Sequence, residues 1–330
     1  MQLMAKHVMK LFIFIPFKNY LLLFINSIKK RIFATMKQEI SILIPTYNHR
    51  CFPLVEELAR QASLLETLRW EIIVAEDGST DKRAIETNAQ INSIAHCRQL
   101  VLPSNLGRAA IRNYLASRAR HSWLLFIDSD MSISLEDYLL RFLSAKGEVV
   151  YGGYHVTKKS NPPCLRYRYE RAAERSRELS RRLSHPYHAF RACNFMASGE
   201  IMRRYPFDER FSHYGFEETM LAKTFMRHHV PVSHIDAPVD FDCQESNLSF
   251  IEKTEEAMRT LHRFETELAD MSTLLALARR IERLHLSRPL RFFHHCLGTA
   301  MRNALVSKQP PLWQFHLYKL GYLMSIQKRP

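Results

Sequence analysis

The chain has 330 residues, of which 46% are hydrophobic and 24% charged, and its 47 basic against 33 acidic residues give a formal charge of +14. This composition excludes a disordered chain, a collagen or a coiled coil as a description of the whole, and a mean hydropathy of −0.24 excludes a polytopic membrane protein. The basic excess points to an anionic partner: a phosphate, a nucleic acid or a membrane surface.

The excess lies at the ends. Residues 1–38 carry seven basic residues and no acid, and residues 277–330 carry ten basic residues and one acid, Glu282, so the middle of the chain is close to neutral. Residues 11–28 (LFIFIPFKNYLLLFINSI) are apolar but hold Pro16, Lys18 and Asn19. A central lysine opposes a spanning helix, and no small-residue cleavage site follows, which opposes a secretory signal. Three readings stand for residues 1–35: a basic interfacial segment, a poor transmembrane segment, or a start codon placed before Met36.

Next comes a run of short apolar strands at 40–44, 71–75, 98–102 and 123–127, alternating with helical stretches at 53–65, 81–94 and 107–118. Such alternation predicts an α/β fold with a parallel sheet covered on both faces. Ligands bind such sheets at the carboxyl ends of the strands. Those ends read Pro45-Thr46-Tyr47-Asn48, Glu76-Asp77-Gly78-Ser79 and Asp128-Ser129-Asp130.

Beyond residue 145 the pattern predicts a strand at 148–151, an arginine-rich helix over 165–183 that reads most simply as a solvated face and alternatively as a grip for a phosphate-bearing acceptor, a strand at 192–197, a helix at 216–228 and a strand at 230–235 broken by Pro231. Helical periodicity then runs over 248–269, 272–286, 289–306 and 312–326. The six cysteines lack C-x-x-C spacing and read as reduced, buried thiols.

No G-x-G-x-x-G and no P-loop motif is present. Without a glycine-rich phosphate cradle, a carboxylate-held cation is the obvious way to neutralise phosphate. Asp128-x-Asp130 at a strand end places two hard oxygen ligands on one side for Mg²⁺ or Mn²⁺; a polar strand end with a turn cap is the plainer reading. Asp77 reads either as a turn residue or as an acceptor for a base or ribose. Glu217 and Glu218 open a helix, where acids suit the dipole. As neighbours on a helix they face different ways, so at most one enters a site.

Together, ISILIPTYN at 40–48, VAEDGST at 74–80, NLGRAAIRN at 105–113, WLLFIDSD at 123–130 and FDERFSHYGFEET at 207–219 resemble a family 2 glycosyltransferase of the GT-A fold, of the bacterial polysaccharide type. The resemblance covers about residues 39–245. It implies a nucleotide-sugar donor, UDP-linked in the usual case, a divalent metal (Mg²⁺ or Mn²⁺), and a glycan or lipid-linked acceptor. By position, Pro45, Thr46 and Tyr47 would line the nucleotide pocket, Asp77 would contact the base, and Arg112 would lie on the nucleotide side. Asp128 would lie near the ribose and beside the metal, Asp130 would bind metal and diphosphate, and Glu218 would be the general base of an inverting transfer. Glu218 stands where the family usually has aspartate. A family histidine that ligates the metal falls near Phe241, leaving Asp240, Asp242 or His234 as substitutes.

The expected organisation is a basic apolar extension over 1–35, a GT-A domain over 36–245 and a basic helical region over 246–330. The leading expectation is a cytoplasmic glycosyltransferase for cell-surface glycan or polysaccharide, held peripherally at the inner face of a membrane by its basic ends. The alternatives are a nucleotidyltransferase on a similar sheet and a non-enzymatic basic adaptor. The acidic strand ends oppose nucleic acid as the partner.

Overall fold

The computed structural model describes residues 36–158, 164–243, 245–307 and 309–326, so the expectations for residues 1–35 lie outside the described residues. The strands are β1 (Glu39–Thr46), β2 (Arg69–Glu76), β3 (Cys97–Val101), β4 (Trp123–Ile127), β5 (Met131–Ser132), β6 (Val149–Tyr151), β7 (Tyr154–Lys158), β8 (Asn194–Ser198), β9 (Val232–His234) and β10 (Val239–Cys243). The first helices are α1 (Phe52–Ser63), α2 (Lys82–Ala89), α3 (Arg108–Arg118), α4 (Tyr138–Ser144), α5 (Leu165–Ala172), α6 (Leu179–Ser184), α7 (Pro186–Ala189) and α8 (Gly199–Arg204). They are followed by α9 (Glu217–Arg227), α10 (Asn247–Arg263), α11 (Thr273–Arg283), α12 (Ser287–Val306) and α13 (Leu312–Ile326).

The central sheet has the order β3-β2-β1-β4-β8-β6-β9. β1 runs parallel to β2 and β4, while β8 is antiparallel to β4 and β6. Side chains alternate across each strand. Ile40, Ile42 and Ile44 therefore join Ile72 and Val74 in a core beneath α1. Leu43, Ile73 and Phe126 turn to the opposite core, beneath Ala109, Ile111 and Leu115 of α3. Both faces are covered, which explains why the strands read as unbroken apolar runs. Thr46 pairs with Glu76 at the ends of β1 and β2. The polar residues after β1, β2 and β4 thus emerge on one edge.

A second sheet, β5-β10-β7, closes over that edge. It sets Phe241 opposite Met131 and beside Val156. The segment from Pro238 to Asp242 is therefore mostly strand. The expected long helix over 165–183 is broken into α5, a 3₁₀ turn at Glu174–Arg177 and α6, with Glu178 extended between them (ψ 143°). Tertiary partners override the helical period there. Arg182, expected on a solvated face, is buried and donates to the carbonyls of Arg177 (2.9 Å) and Ile235 (3.0 Å). The helix expected over 81–94 stops at Ala89 and continues as a 3₁₀ turn at Gln90–Ser93. Pro289 sits inside the first turn of α12 and does not break it, since a proline there removes only a donor that has no partner.

The C-terminal helices pack on the sheet-bearing body. Phe211 and Met220 share a core with Met258 and Leu261 of α10, Leu275 of α11 and Leu323 of α13. Among the described residues no helix is long and apolar enough to cross a membrane. The six cysteines form no disulfide; Cys51, Cys97, Cys193 and Cys243 are buried as expected, whereas Cys164 is half-buried and Cys296 exposed.

Candidate active site

The loops at the sheet edge are tied to one another before any ligand arrives. Asn48 adopts a left-handed backbone (φ 52°), and its side-chain oxygen accepts from the N–H groups of Thr80 (2.7 Å) and Asp81 (2.8 Å). This clamps the loop after β1 to the loop after β2. Asp77 accepts from the N–H groups of Leu106 (2.6 Å) and Gly107 (3.2 Å), one on each carboxylate oxygen. Burial pushes its carboxyl above the ordinary range, against the pull of those two donors. Each oxygen keeps a second lone pair for a ligand. Gly78 makes this approach feasible: it sits at φ +66°, and a Cβ there would lie 2.3 Å from the Asn105 nitrogen.

Helix α3 begins at Arg108. Its first turns place Arg108 and Arg112 on one face, four residues apart. Arg112 Nη2 donates to Asp128 Oδ1 at 2.5 Å, and Arg108 Nη2 reaches Asp128 Oδ2 at 3.2 Å. Arg108 Nε also donates to Glu217 Oε1 (2.8 Å), with Arg112 Nη1 at 3.6 Å from the same oxygen. The side chains of Arg112 and Glu217 are each only 2% exposed. Burial would raise the Asp128 carboxyl, but Arg112 and Arg108 outweigh it and hold the group below the ordinary carboxylate range.

Asp130, two residues on, is in the opposite condition. It has no hydrogen bond or ion pair among the described residues. Burial, and after it the Asp128 charge, push its carboxyl up. A carboxylate so placed is stabilised by an incoming cation. The two aspartates of Asp128-x-Asp130 thus do different work: Asp128 is held by arginines, and Asp130 is open.

Two adjoining clefts meet at Asp130. One, of about 440 Å³, is lined by Pro45, Thr46, Tyr47, Asp77, Arg112 and Asp128, among others. Tyr47 is 52% exposed there, a free aromatic face at the mouth. The other, of about 810 Å³, is bordered by Arg166, Phe241, Asp242 and Glu245. His49, Ser129, Asp130 and Lys253 border both.

The base candidates behave as neighbours on a helix must. Gly215 (φ +97°) and Phe216 (φ +71°) swing the chain into α9, and the two acids diverge. Glu217 turns inward to the arginines. Glu218 faces Arg191, whose Nε lies 3.5 Å from its Oε1. Burial, then the Glu217 charge, raise the Glu218 carboxyl, and Arg191 partly counters them. A base with its ordinary carboxylate pKa is therefore not what the fold provides.

The structure brings Pro45, Thr46, Tyr47, Asp77, Arg112, Asp128 and Asp130 to one cleft, while Glu218, beside Arg191, lines neither cleft. Of the substitutes for a metal-ligating histidine, His234 is turned away. It is buried on the central sheet with Nε2 3.0 Å from the Pro186 carbonyl, and burial lowers its pKa to about 4. Asp240 is in contact range of His155 (4.0 Å), and Asp242 accepts from Thr157 Oγ1 (2.5 Å). Among the described residues no group of three or more His, Cys, Asp or Glu side chains is placed to hold an ion. A Mg²⁺ or Mn²⁺ ion is nevertheless compatible with one protein carboxylate when phosphate oxygens and water complete its shell, and the unpaired Asp130 fits that role.

Arg108 and Lys253 carry no site reading in the sequence, Glu217 reads there only as the neighbour of the base candidate Glu218, and Arg166 only as one of several arginines over 165–183. The spacing of Arg108 and Arg112 was the one available signal. Lys253 carries none, because it reaches the cleft from α10, far along the chain.

Residues 41–209 match the profile of Glycosyl transferase family 2. An uncharacterized glycosyltransferase of Haemophilus influenzae is 31% identical over 118 residues, which is 35% of this chain and 46% of that protein. A dolichyl-phosphate beta-glucosyltransferase of Trichomonas vaginalis is 30% identical over 114 residues, 32% of this chain and 34% of its own length. The matched regions thus span less than half of these two relatives. The structure of a mannosyltransferase from Pyrobaculum calidifontis in complex with GDP-Man and Mn²⁺ superposes with a TM-score of 0.54 at 15% identity, covering 87% of this chain and 86% of that one. That likeness gives the architecture as the GT-A arrangement of sheet and flanking helices. With its family profile covering just over half of the residues, in the region that builds the cleft, the chain belongs to glycosyl transferase family 2.

Proposed function

We propose that the protein transfers a sugar from a nucleoside-diphosphate donor to an acceptor hydroxyl with inversion. The observation that carries this reading is that an exposed aromatic, Tyr47, and an unpaired carboxylate, Asp130, line one cleft. The first suits a nucleobase and the second a cation-bound diphosphate. The GDP-Man and Mn²⁺ bound in the Pyrobaculum structure support a nucleotide sugar and a divalent ion.

In this reading Tyr47 and Thr46 seat the base, and Asp77 accepts from base or ribose through its remaining lone pairs. Arg112 and Arg108 fix the Asp128 carboxylate toward the ribose side. Asp130 would hold a divalent ion, which would supply charge stabilisation to the departing diphosphate. Glu218 takes the proton of the acceptor hydroxyl as that oxygen attacks the anomeric carbon from the face opposite the leaving group. Glu217 keeps Arg108 in place.

The acceptor belongs to a cell-surface or lipid-linked glycan, and the protein docks on an anionic membrane. The name of the Trichomonas relative, a dolichyl-phosphate transferase, supports a lipid-borne acceptor. The corner between α11 and α12 supports docking. It exposes Leu284 and Leu286 between the two helices and Phe292, 70% exposed, early in α12. Arg279, Arg280, Arg283 and Arg288 are exposed around them, a basic and apolar combination that fits anionic lipid.

The test is nucleoside diphosphate release from a panel of nucleotide sugars with Mn²⁺ and a glycan-lipid acceptor. Release of nucleoside diphosphate with an inverted product supports the reading. Release of pyrophosphate instead identifies a nucleotidyltransferase.

A further inference from the structure

The larger cleft contains a feature that the mechanism above does not use. Arg166 of α5 and Lys253 of α10 converge on one carboxylate, Glu245. Arg166 Nη1 lies 2.6 Å from Glu245 Oε2, and Lys253 Nζ lies 2.5 Å from Oε1. Ser249 Oγ donates to the same group at 2.8 Å. Arg166, Lys253 and Glu245 together carry one net positive charge, in the cleft that Asp130 and Asp242 also line.

Both cations are braced for a ligand rather than fully consumed. The Arg166 guanidinium lies 4.5 Å above the Phe241 ring and 5.9 Å from the Phe250 ring, so its plane is fixed. Its Nε is buried without a hydrogen-bond partner. Lys253 is 41% exposed, sits over Tyr214, and has three N–H donors of which Glu245 takes one. Lys253 borders both clefts, at the junction marked by Asp130 and Ser129.

An anion entering at that junction would meet Asp130 on one side and these two cations on the other. The donor's diphosphate is the ligand whose charge and size fit. We propose that Arg166 and Lys253 form a diphosphate seat, through which the chain supplies part of the neutralisation of the leaving group in addition to any divalent ion. This rests on the nucleotide-sugar reading. The seat is assembled from α5 and α10, and α10 lies outside the residues matched by the family profile. Arg166 offers a planar fork and Lys253 a point charge, a combination that holds adjacent phosphate groups.

The experiment is calorimetric binding to the full chain in excess EDTA, with three probes: a nucleoside diphosphate, its parent nucleoside, and inorganic pyrophosphate. The variants are Lys253→Met, Lys253→Arg and Arg166→Met, each checked by thermal denaturation. The expected result is at least a tenfold loss of nucleoside diphosphate affinity in Lys253→Met, unchanged nucleoside affinity, and recovery in Lys253→Arg. Because Lys253 is partly exposed, its variant keeps the proposal testable if Arg166→Met fails to fold. Wild-type affinity of Lys253→Met for the diphosphate would overturn the seat while leaving the donor reading intact. Pyrophosphate binding that depends on Lys253, with no nucleotide binding at all, would support the seat and overturn the donor reading. Binding of none of the probes by the wild-type chain would overturn both.

Discussion

Arg112 Nη2 lies 2.5 Å from Asp128 Oδ1, and the arginine side chain is almost wholly buried. The pair joins α3 to the end of β4 across the floor of the cleft. It holds the first aspartate of Asp128-x-Asp130 as a fixed anion and leaves the second free. Removing one partner of a buried pair strands the other charge, at a cost of about 3–5 kcal/mol.

Arg112→Met should therefore destabilise the protein by about that amount in denaturant unfolding. The same pair sets a pH dependence. The folded Asp128 pKa is depressed, so its stabilisation is present above its unfolded value, about 3.9, and is lost as pH falls through the lower folded value. The slope of stability against acid pH should shrink in Asp128→Asn. An unchanged slope would show that other carboxylates set it.

Asp130→Asn should behave oppositely. The folded Asp130 pKa is raised, so its ionised form opposes folding at neutral pH. The variant should melt at a higher temperature than wild type without ligand, yet lose metal-dependent donor binding. A lower melting temperature together with intact metal-dependent binding would count against an open cation site.

Glu218→Gln should abolish transfer while donor affinity survives, because the side chain lies outside the lining of the donor cleft. The pH profile checks the assignment independently. The base acts ionised, and burial with Glu217 raises its pKa, so kcat/KM should fall on the acid side above the ordinary glutamate value of about 4.3. Arg191→Met removes the cation that lowers it and should move that limb to higher pH, with Arg191→Lys restoring the original position. A limb that stays put in Arg191→Met would place the base elsewhere.

Gly78→Ala should cost about 1–3 kcal/mol from the left-handed backbone alone. Its Cβ would also press on the Asn105 backbone and displace the loop that Asp77 braces. Nucleotide affinity should drop together with stability, as read by titration of the refolded variant.

Phe292→Ser should weaken sedimentation with vesicles containing anionic lipid, with transfer to a soluble acceptor unchanged. Raising the salt concentration should weaken binding in wild type and variant alike, since arginines around the patch contribute through screened attraction. Equal sedimentation of the variant would remove the corner between α11 and α12 as the docking surface.

The sequence by itself determined the α/β class, the parallel strands and the edge at which ligands bind. These follow from local signals: apolar runs of strand length, helical periods between them, and polar residues where each strand ends. Ile40–Ile44 reads as a strand because both faces of the sheet are covered. The tertiary structure decided what each polar residue does. Asp128 and Asp130 look equivalent two residues apart, but only Asp128 meets the arginines of α3. Glu217 and Glu218 look interchangeable, but the left-handed turn at Gly215 and Phe216 sends one to Arg108 and the other to Arg191. Arg182, placed on a solvated face by its helix, is buried by carbonyls from the neighbouring sheet. Lys253 had no local signal at all. The reason is common to all four: a side chain's charge state and role depend on partners brought together by long-range packing, and sequence periodicity reports only which face of its own element a residue occupies.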